Sequence, residues 1–396
     1  MGFLSRRDAL KSAAAILGVK TLNKHKALGG EAAAAAAPDS KGGFEMASLY
    51  GRSYTADELY AYVGRMAQVA GVERFELTEG KARGVRCARV YTGSGFEFLV
   101  VLDRAMDVAL ASYNGAPINW LAQQGITAPP YFEADKKGWD RTFFGGLNQT
   151  CGLRSAGHDS VLDGEDFGLH GRISTCPAED VNVATEWRGD EYVMELKGVI
   201  REAHSYKENL ILTRTISTKA GARSFVQTDV VVNEGAKSTP HTIMYHVNPG
   251  FPVLAEDSKV LWSLEKLDGD SEKEFTTFAK PAKGAQGGGY AYHKADSKGR
   301  AKVAVVNPKL FSGAGLGMYI SYDLEQLPVM VLWKQMARHA YLIGIEPANC
   351  RINTNAKLRE QGILPYLEPG ERRVYEIEFG VLAGKDDIEA FRASLP

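Results

Sequence analysis

The stretch ENLILTRTISTKAGARSFVQTDVVV, residues 208–232, reads as strand, turn, strand. Apolar and polar side chains alternate through ENLILTRTIS, the pattern breaks at Lys219-Ala220-Gly221, and SFVQTDVVV resumes it. A period of two is what a strand with one buried face requires, and two such runs about a glycine turn predict an antiparallel hairpin. The same period recurs on both sides, in VRCARVY (85–91), FEFLVVL (96–102), AMDVALASY (105–113), YVMELKGVI (192–200), HTIMYHV (241–247), GMYISYD (317–323), VMVLWK (329–334), AYLIGIE (340–346) and RRVYEIEF (372–379). So many strands with almost no helix between them predict a large antiparallel sandwich, not a parallel α/β sheet. One helix is expected at about residues 55–71, where Leu59, Tyr62, Val63, Met66 and Val69 recur at helical spacing behind a Thr55/Glu58 capping box.

The chain has 396 residues, 44% hydrophobic and 24% charged, enough to bury a core. With 47 Lys+Arg against 48 Asp+Glu there is no positive field to collect phosphates, so nucleic acid is not an expected partner. Cys87, Cys151, Cys176 and Cys350 lie far apart without zinc spacing, which leaves room for one or two disulfides and no structural zinc site. No strand-GxGxxG-helix, GxSxG elbow or HExxH helix is present, and the glycine run AKGAQGGGYAY (282–292) reads as a surface loop.

The N-terminus is read as an address. Ser5-Arg6-Arg7-Asp8 precede an apolar stretch of about eleven residues, interrupted by Lys11 and Ser12 and far short of the roughly 20 a spanning helix needs. An alanine run at 32–37 then offers cleavage sites before Pro38. The expectation is a twin-arginine signal over 1–37, a single domain over 38–396, a periplasmic or secreted location and no stable membrane anchor.

Three places set a titratable residue among small or apolar neighbours. In FGLHGRISTC (167–176), His170 and Arg172 flank Gly171, which lets a ligand approach the backbone and suits recognition of sugar oxygens. In HTIMYHVNPGFPVL (241–254), His246 closes an apolar strand and Asn248-Pro249-Gly250 break it. In AYLIGIEPANC (340–350), Glu346 sits in an apolar strand where desolvation would lift its pKa toward general-base range. Arg104 and Asp107, in LDRAMDVAL (102–110), are either a buried pair or ligand contacts. The aromatic-rich segment from Trp120 to Asp180 is too long for an idle loop, and Trp120, Trp139, Tyr245 and Phe251 are candidates for stacking on a sugar.

Taken together, QVAGVERFEL (68–77), LDRAMDVA (102–109), TFFGGLNQTCGL (142–153), GEDFGLHGRIS (164–174), YHVNPGFPVL (245–254), GIEPANC (344–350) and LEPGERRVYEIEF (367–379) resemble the DUF4432 family of the galactose mutarotase-like (aldose 1-epimerase) superfamily. The resemblance implies an all-β, galactose mutarotase-like antiparallel β-supersandwich with an N-terminal helix. It further implies a carbohydrate-active isomerase in which His170 orients the sugar, His246 protonates the ring oxygen and Glu346 takes the anomeric hydroxyl proton. Arg172, Arg104, Asp107 and Asn248 would bind substrate. No cofactor is expected, although a divalent metal held by His and Glu is conceivable if the face serves enolisation. Two other outcomes stay open: a lyase or isomerase acting on an oxidised (keto) sugar or glycoside with the same face, and a carbohydrate-binding protein without chemistry.

Overall fold

The computed structural model describes residues 46–282 and 286–396; the twin-arginine stretch and the alanine run fall outside them. Two large antiparallel sheets dominate. One has eight strands, in spatial order Ala178–Arg188, Glu191–Ala203, Asn209–Lys219, Ser224–Asn233, Arg372–Ala383, Leu316–Asp323, Arg300–Asn307 and Lys259–Trp262. The other has eleven: Leu264–Gly269, Gln286–His293, Val329–Ala337, Ala340–Ala348, Met244–Val247, Asn148–Cys151, Asp107–Tyr113, Phe96–Val101, Arg86–Tyr91 and Gly71–Glu76, with Ala116–Pro117 paired beside Asp107–Tyr113. The hairpin read at 208–232 is the pair Asn209–Lys219 and Ser224–Asn233.

Alternation decides which side chains enter the space between the sheets. Leu210, Leu212 and Ile216 from one strand and Phe225 and Val231 from the next join Val108, Tyr245, Val247, Met330, Ile343 and Ile345 of the opposite sheet in one apolar cluster. The register also puts charge into that core: Arg214 stands opposite Asp229, and both are fully buried. The guanidinium donates to Asp229 Oδ1 (2.8 Å) and Oδ2 (2.6 Å), to Asp107 Oδ1 (2.6 Å), to Ala105 O (2.9 Å) and to Thr150 Oγ1 (2.8 Å). Tyr245 adds a phenolic donor to Asp229 Oδ2 at 2.8 Å. A buried guanidinium that meets five acceptors is stable as an ion, whereas one left unpaired would not be.

Two local expectations change. The opening helix is only Ala56–Tyr60, capped by Thr55 and Glu58 as read, followed by a separate 3-10 turn at Met66–Gln68. Gly64 lies between them and weakens a helix already too short to sustain itself, while Leu59, Val63, Met66 and Val69 still reach a common apolar cluster with Tyr192 and Met194. Tyr62 points to solvent. The glycine run is not a loop: Gln286–His293 is a strand, with Gly288 paired to Trp333 and Gly289 to Leu332. Its glycines are required by close approach, since a Cβ on Gly288 would lie 2.6 Å from Leu332 O. All four cysteines are free thiols. Among the described residues no helix is long and apolar enough to cross a membrane.

Candidate active site

The eleven-stranded sheet sends odd-numbered residues of Ala340–Ala348 into the core and even-numbered ones to its outer face. On Met244–Val247 the parity is the same: Tyr245 and Val247 enter the core, while Met244 and His246 face outward. The register set by Met244 opposite Ala348 therefore brings His246 opposite Glu346. Their side chains lie 3.2 Å apart, Nε2 to Oε1, with exposures of 6% and 2%. The carboxyl folds back along its own strand over Gly344, where a Cβ would sit 1.9 Å from Oε1. Any side chain at 344 evicts it.

His170 arrives from the long segment. Its φ is +57° and that of Gly171 is +72°, a left-handed pair in which only the glycine is at ease. Backbone bonds fix the corner: His170 N donates to Gly157 O at 2.8 Å and Gly152 N to His170 O at 3.0 Å. The imidazole Nδ1 lies 2.7 Å from Ala156 O. A carbonyl only accepts, so Nδ1 carries the hydrogen and Nε2 is left as an acceptor. The rings of His170 and His246 meet edge to face with centroids 5.9 Å apart.

These groups line a cavity of about 310 Å³. Its walls are aromatic, with Trp139, Phe143, Trp333 and Tyr290, and Asp140 and His158 add polar groups. The lining contains no Lys or Arg. Trp139 and Phe143 stack at 4.5 Å, and Trp333 stands edge-on to His246 at 5.5 Å. Gln149, the register partner of His246, braces this wall: its Oε1 accepts from Phe144 N (3.2 Å) and its Nε2 donates to Ser174 Oγ (3.4 Å), which also accepts from Trp139 Nε1 (3.3 Å).

Burial sets the protonation. Desolvation pushes His246 down to about 3, with the neighbouring His170 adding to the shift and the acceptor oxygen of Asn248 opposing it. Desolvation likewise lowers His170 to about 4, against the bond to Ala156. The same burial pushes the Glu346 carboxyl well above its ordinary value. Desolvation also raises Asp140, with Lys137 opposing. Burial thus favours neutral imidazoles beside a protonated carboxyl.

Of the residues singled out in the sequence, His170, His246 and Glu346 come together, with Trp139 beside them. The others go elsewhere. Arg104 is enclosed by carbonyls, donating to Ser174 O, to Thr127 O (2.9 Å) and to Thr142 O (2.9 Å), and it staples three loops without reaching the cavity. Asp107 is spent on Arg214 and Thr150. Arg172 is exposed and outside the lining. Asn248 is fully buried behind His246, donating through Nδ2 to Gly146 O (3.1 Å) and to His246 O (2.7 Å). Tyr245 belongs to the core and Phe251 is exposed. Trp120 touches Phe143 at 6.0 Å but lies outside the lining. Trp333, Tyr290, His158 and Asp140 were not anticipated. Alternation in VMVLWK does put Trp333 on the side opposite Met330 and Leu332, and that signal was available. Among the described residues no three His, Cys, Asp or Glu side chains are grouped to hold a metal ion.

Solved structures share this architecture. A candidate aldose 1-epimerase from Klebsiella pneumoniae superposes with a TM-score of 0.76 at 23% identity, over 83% of this chain and 89% of that one. A galactose mutarotase-like protein from Clostridium acetobutylicum gives 0.56 at 13% identity, over 80% and 99%. Galactose 1-epimerase from Lactobacillus acidophilus gives 0.52 at 11% identity, over 80% and 100%. At these identities the likeness is one of fold, and the two-sheet architecture is the galactose mutarotase-like supersandwich. No curated protein matches the chain in sequence. The model of the family described as a domain of unknown function, DUF4432, matches residues 82–381, and the chain belongs to that family.

Proposed function

We propose that the protein is a sugar isomerase that interconverts anomers by acid–base chemistry, with Glu346 as the base, His246 as the acid and His170 as the group that orients the sugar. The contact of 3.2 Å between His246 and Glu346 in a cavity walled by indoles carries this reading. Mutarotation needs one group to take the proton from O1 and another to give one to the ring oxygen, so the active pair must hold one mobile proton between two sites. This pair does. Burial favours that proton on the carboxyl. A pyranose inserted between the two groups meets the other arrangement, carboxylate and imidazolium, at the same proton count.

The steps then balance. Glu346 accepts the O1 proton as the C1–O5 bond breaks, and His246 gives its Nε2 proton to O5. The product is the open-chain aldehyde facing a protonated carboxyl and a neutral imidazole, the state that burial favours. Rotation about C1–C2 and reversal of both transfers close the ring as the other anomer. His170, with Nδ1 held by Ala156, offers Nε2 as acceptor to a sugar hydroxyl. The indoles of Trp139 and Trp333 suit the apolar face of a sugar.

The test is exchange between anomers of a panel of neutral aldoses, read by proton NMR in deuterium oxide. The expected result is catalysed exchange without deuterium at carbon, and a fall on the order of 10³-fold for Glu346→Gln, within the range a positioned acid–base group contributes. Deuterium at carbon adjacent to a carbonyl would replace this reading with enolisation on a keto sugar. Undiminished turnover in Glu346→Gln would remove that residue from the reaction.

A further inference from the structure

The amide of Asn248 was expected to bind substrate, yet it is fully buried and outside the cavity lining. Its orientation is fixed by its donors. Nδ2 gives one hydrogen to Gly146 O at 3.1 Å and the other to His246 O at 2.7 Å, so turning the amide over would set Oδ1 against two carbonyl oxygens. Oδ1 is thereby committed to the opposite side, where it is buried with no hydrogen-bond partner within strict geometry. His246 Nδ1 is buried and without a partner by the same measure. The Asn248 side chain favours the protonated form of the His246 imidazole, which requires its oxygen, not its amide hydrogens, toward the ring. The orphan acceptor and the orphan ring nitrogen thus sit on two residues of one strand end that the Asn248 Nδ2–His246 O bond already holds together.

We infer that Asn248 is a positioning residue: its Oδ1 accepts from His246 Nδ1–H and so fixes the imidazole tautomer, leaving Nε2 as the basic nitrogen that faces Glu346. The opposite tautomer sets two lone pairs, Nδ1 and Oδ1, against each other in a dry site. The tautomer holds whatever the substrate is. Its consequence for turnover rests on the isomerase reading above: when His246 gives its Nε2 proton to a ring oxygen, the neutral form left behind is already the favoured one. No ring flip or proton relocation separates one half-reaction from the next. Asn248 touches neither sugar nor Glu346 and acts through His246 alone.

The direct measurement is nitrogen-15 NMR of the histidine side chains in the full protein near neutral pH, with His246 assigned by its loss in His246→Asn. The expected spectrum shows Nδ1 protonated and Nε2 bare. Asn248→Asp keeps an acceptor at that position and should keep the tautomer. Asn248→Leu removes it and should give a mixture of the two tautomers, with kcat for anomer exchange falling on the order of 100-fold and KM unchanged. A wild-type His246 protonated at Nε2, or an Asn248→Leu protein with an unaltered tautomer, overturns the inference. Because the spectrum needs no substrate, failure of the isomerase reading appears separately, as a wild-type protein inactive on every sugar of the panel.

Discussion

On the neighbouring strands Asn148–Cys151 and Met244–Val247, consecutive side chains go to opposite faces of the sheet and meet opposite fates. Thr150 and Tyr245 turn inward to the Arg214–Asp107–Asp229 cluster, where each charged group is bonded: Asp107 by Arg214 and Thr150, Asp229 by Arg214, Tyr245 and Gln227. Gln149 and His246 turn outward. There His246 Nδ1, Glu346 Oε1 and, just behind, Asn248 Oδ1 are buried without a hydrogen bond of strict geometry, Oε1 having only the 3.2 Å approach of His246 Nε2. Both regions bury ionisable groups to a similar depth, so burial does not distinguish scaffold from site. Completeness of bonding does. A satisfied buried charge has no reason to react, whereas an unsatisfied one retains hydrogen-bonding capacity for a ligand.

The largest effect expected from this contrast is on the inward face. Asp229→Ala leaves Arg214 without its bidentate partner and should cost about 3–5 kcal/mol, read as a fall in the urea midpoint or as loss of soluble protein. The outward face should behave in the opposite sense: Glu346→Met removes a buried carboxyl whose Oε1 has no hydrogen bond of strict geometry, and should leave the midpoint unchanged or higher while abolishing turnover. If Glu346→Met proves as destabilising as Asp229→Ala, the distinction between the two faces fails.

A smaller effect tests how the carboxyl is held. Gly344→Ala puts a methyl where Glu346 Oε1 now lies, so the carboxyl must move away from His246. A displacement of about 1 Å is worth up to roughly 100-fold in rate, and that loss should appear in kcat with little change in the urea midpoint. Wild-type kcat in this variant would mean that the carboxyl reacts from another position.

Much of this architecture could be read from alternation, because strands with one buried face advertise it residue by residue. The hairpin at 208–232 and the buried face of Ser224–Asn233 follow from that period. Gln286–His293 escaped because glycines carry no side chains to alternate, and its strand identity comes from the neighbour it packs against, Val329–Ala337. The opening helix was overread because spacing reports which residues face the core, not whether one helix carries them all. In the site, His170, His246 and Glu346 were legible as titratable residues at strand ends or beside glycine. Arg104 and Asp107 looked equally suitable, since the carbonyls and hydroxyls that occupy them lie 23 to 70 residues away from Arg104 and 43 residues away from Asp107. A sequence shows that a charge is present near an apolar run; the folded chain alone shows whether its bonds are already filled.

The smallest effect expected is in the pH dependence, where the order of the two pKa values is inverted. An exposed Glu–His pair works between the carboxylate pKa and the higher imidazole pKa, so its kcat/KM declines as pH falls through about 4.5 and the base becomes protonated. In this cavity the folded imidazole takes up its proton only near pH 3, and the carboxyl gives its proton up only well above 4.5. The pair therefore keeps a single shared proton across the whole interval, and the two groups titrate as one unit. Below about 3 both hold protons and no base remains; above the raised carboxyl pKa neither does, and the acid is lost. At pH 4 an ordinary glutamate base would have lost about three quarters of its ionised form, whereas this pair should show almost no decline. Initial rates of anomer exchange at low sugar concentration, corrected for the uncatalysed reaction and measured from pH 4 to 8, decide between them: an acid limb centred near 4.5 would mean that Glu346 titrates alone, as a solvated carboxylate, and that the shared proton is not part of the free enzyme.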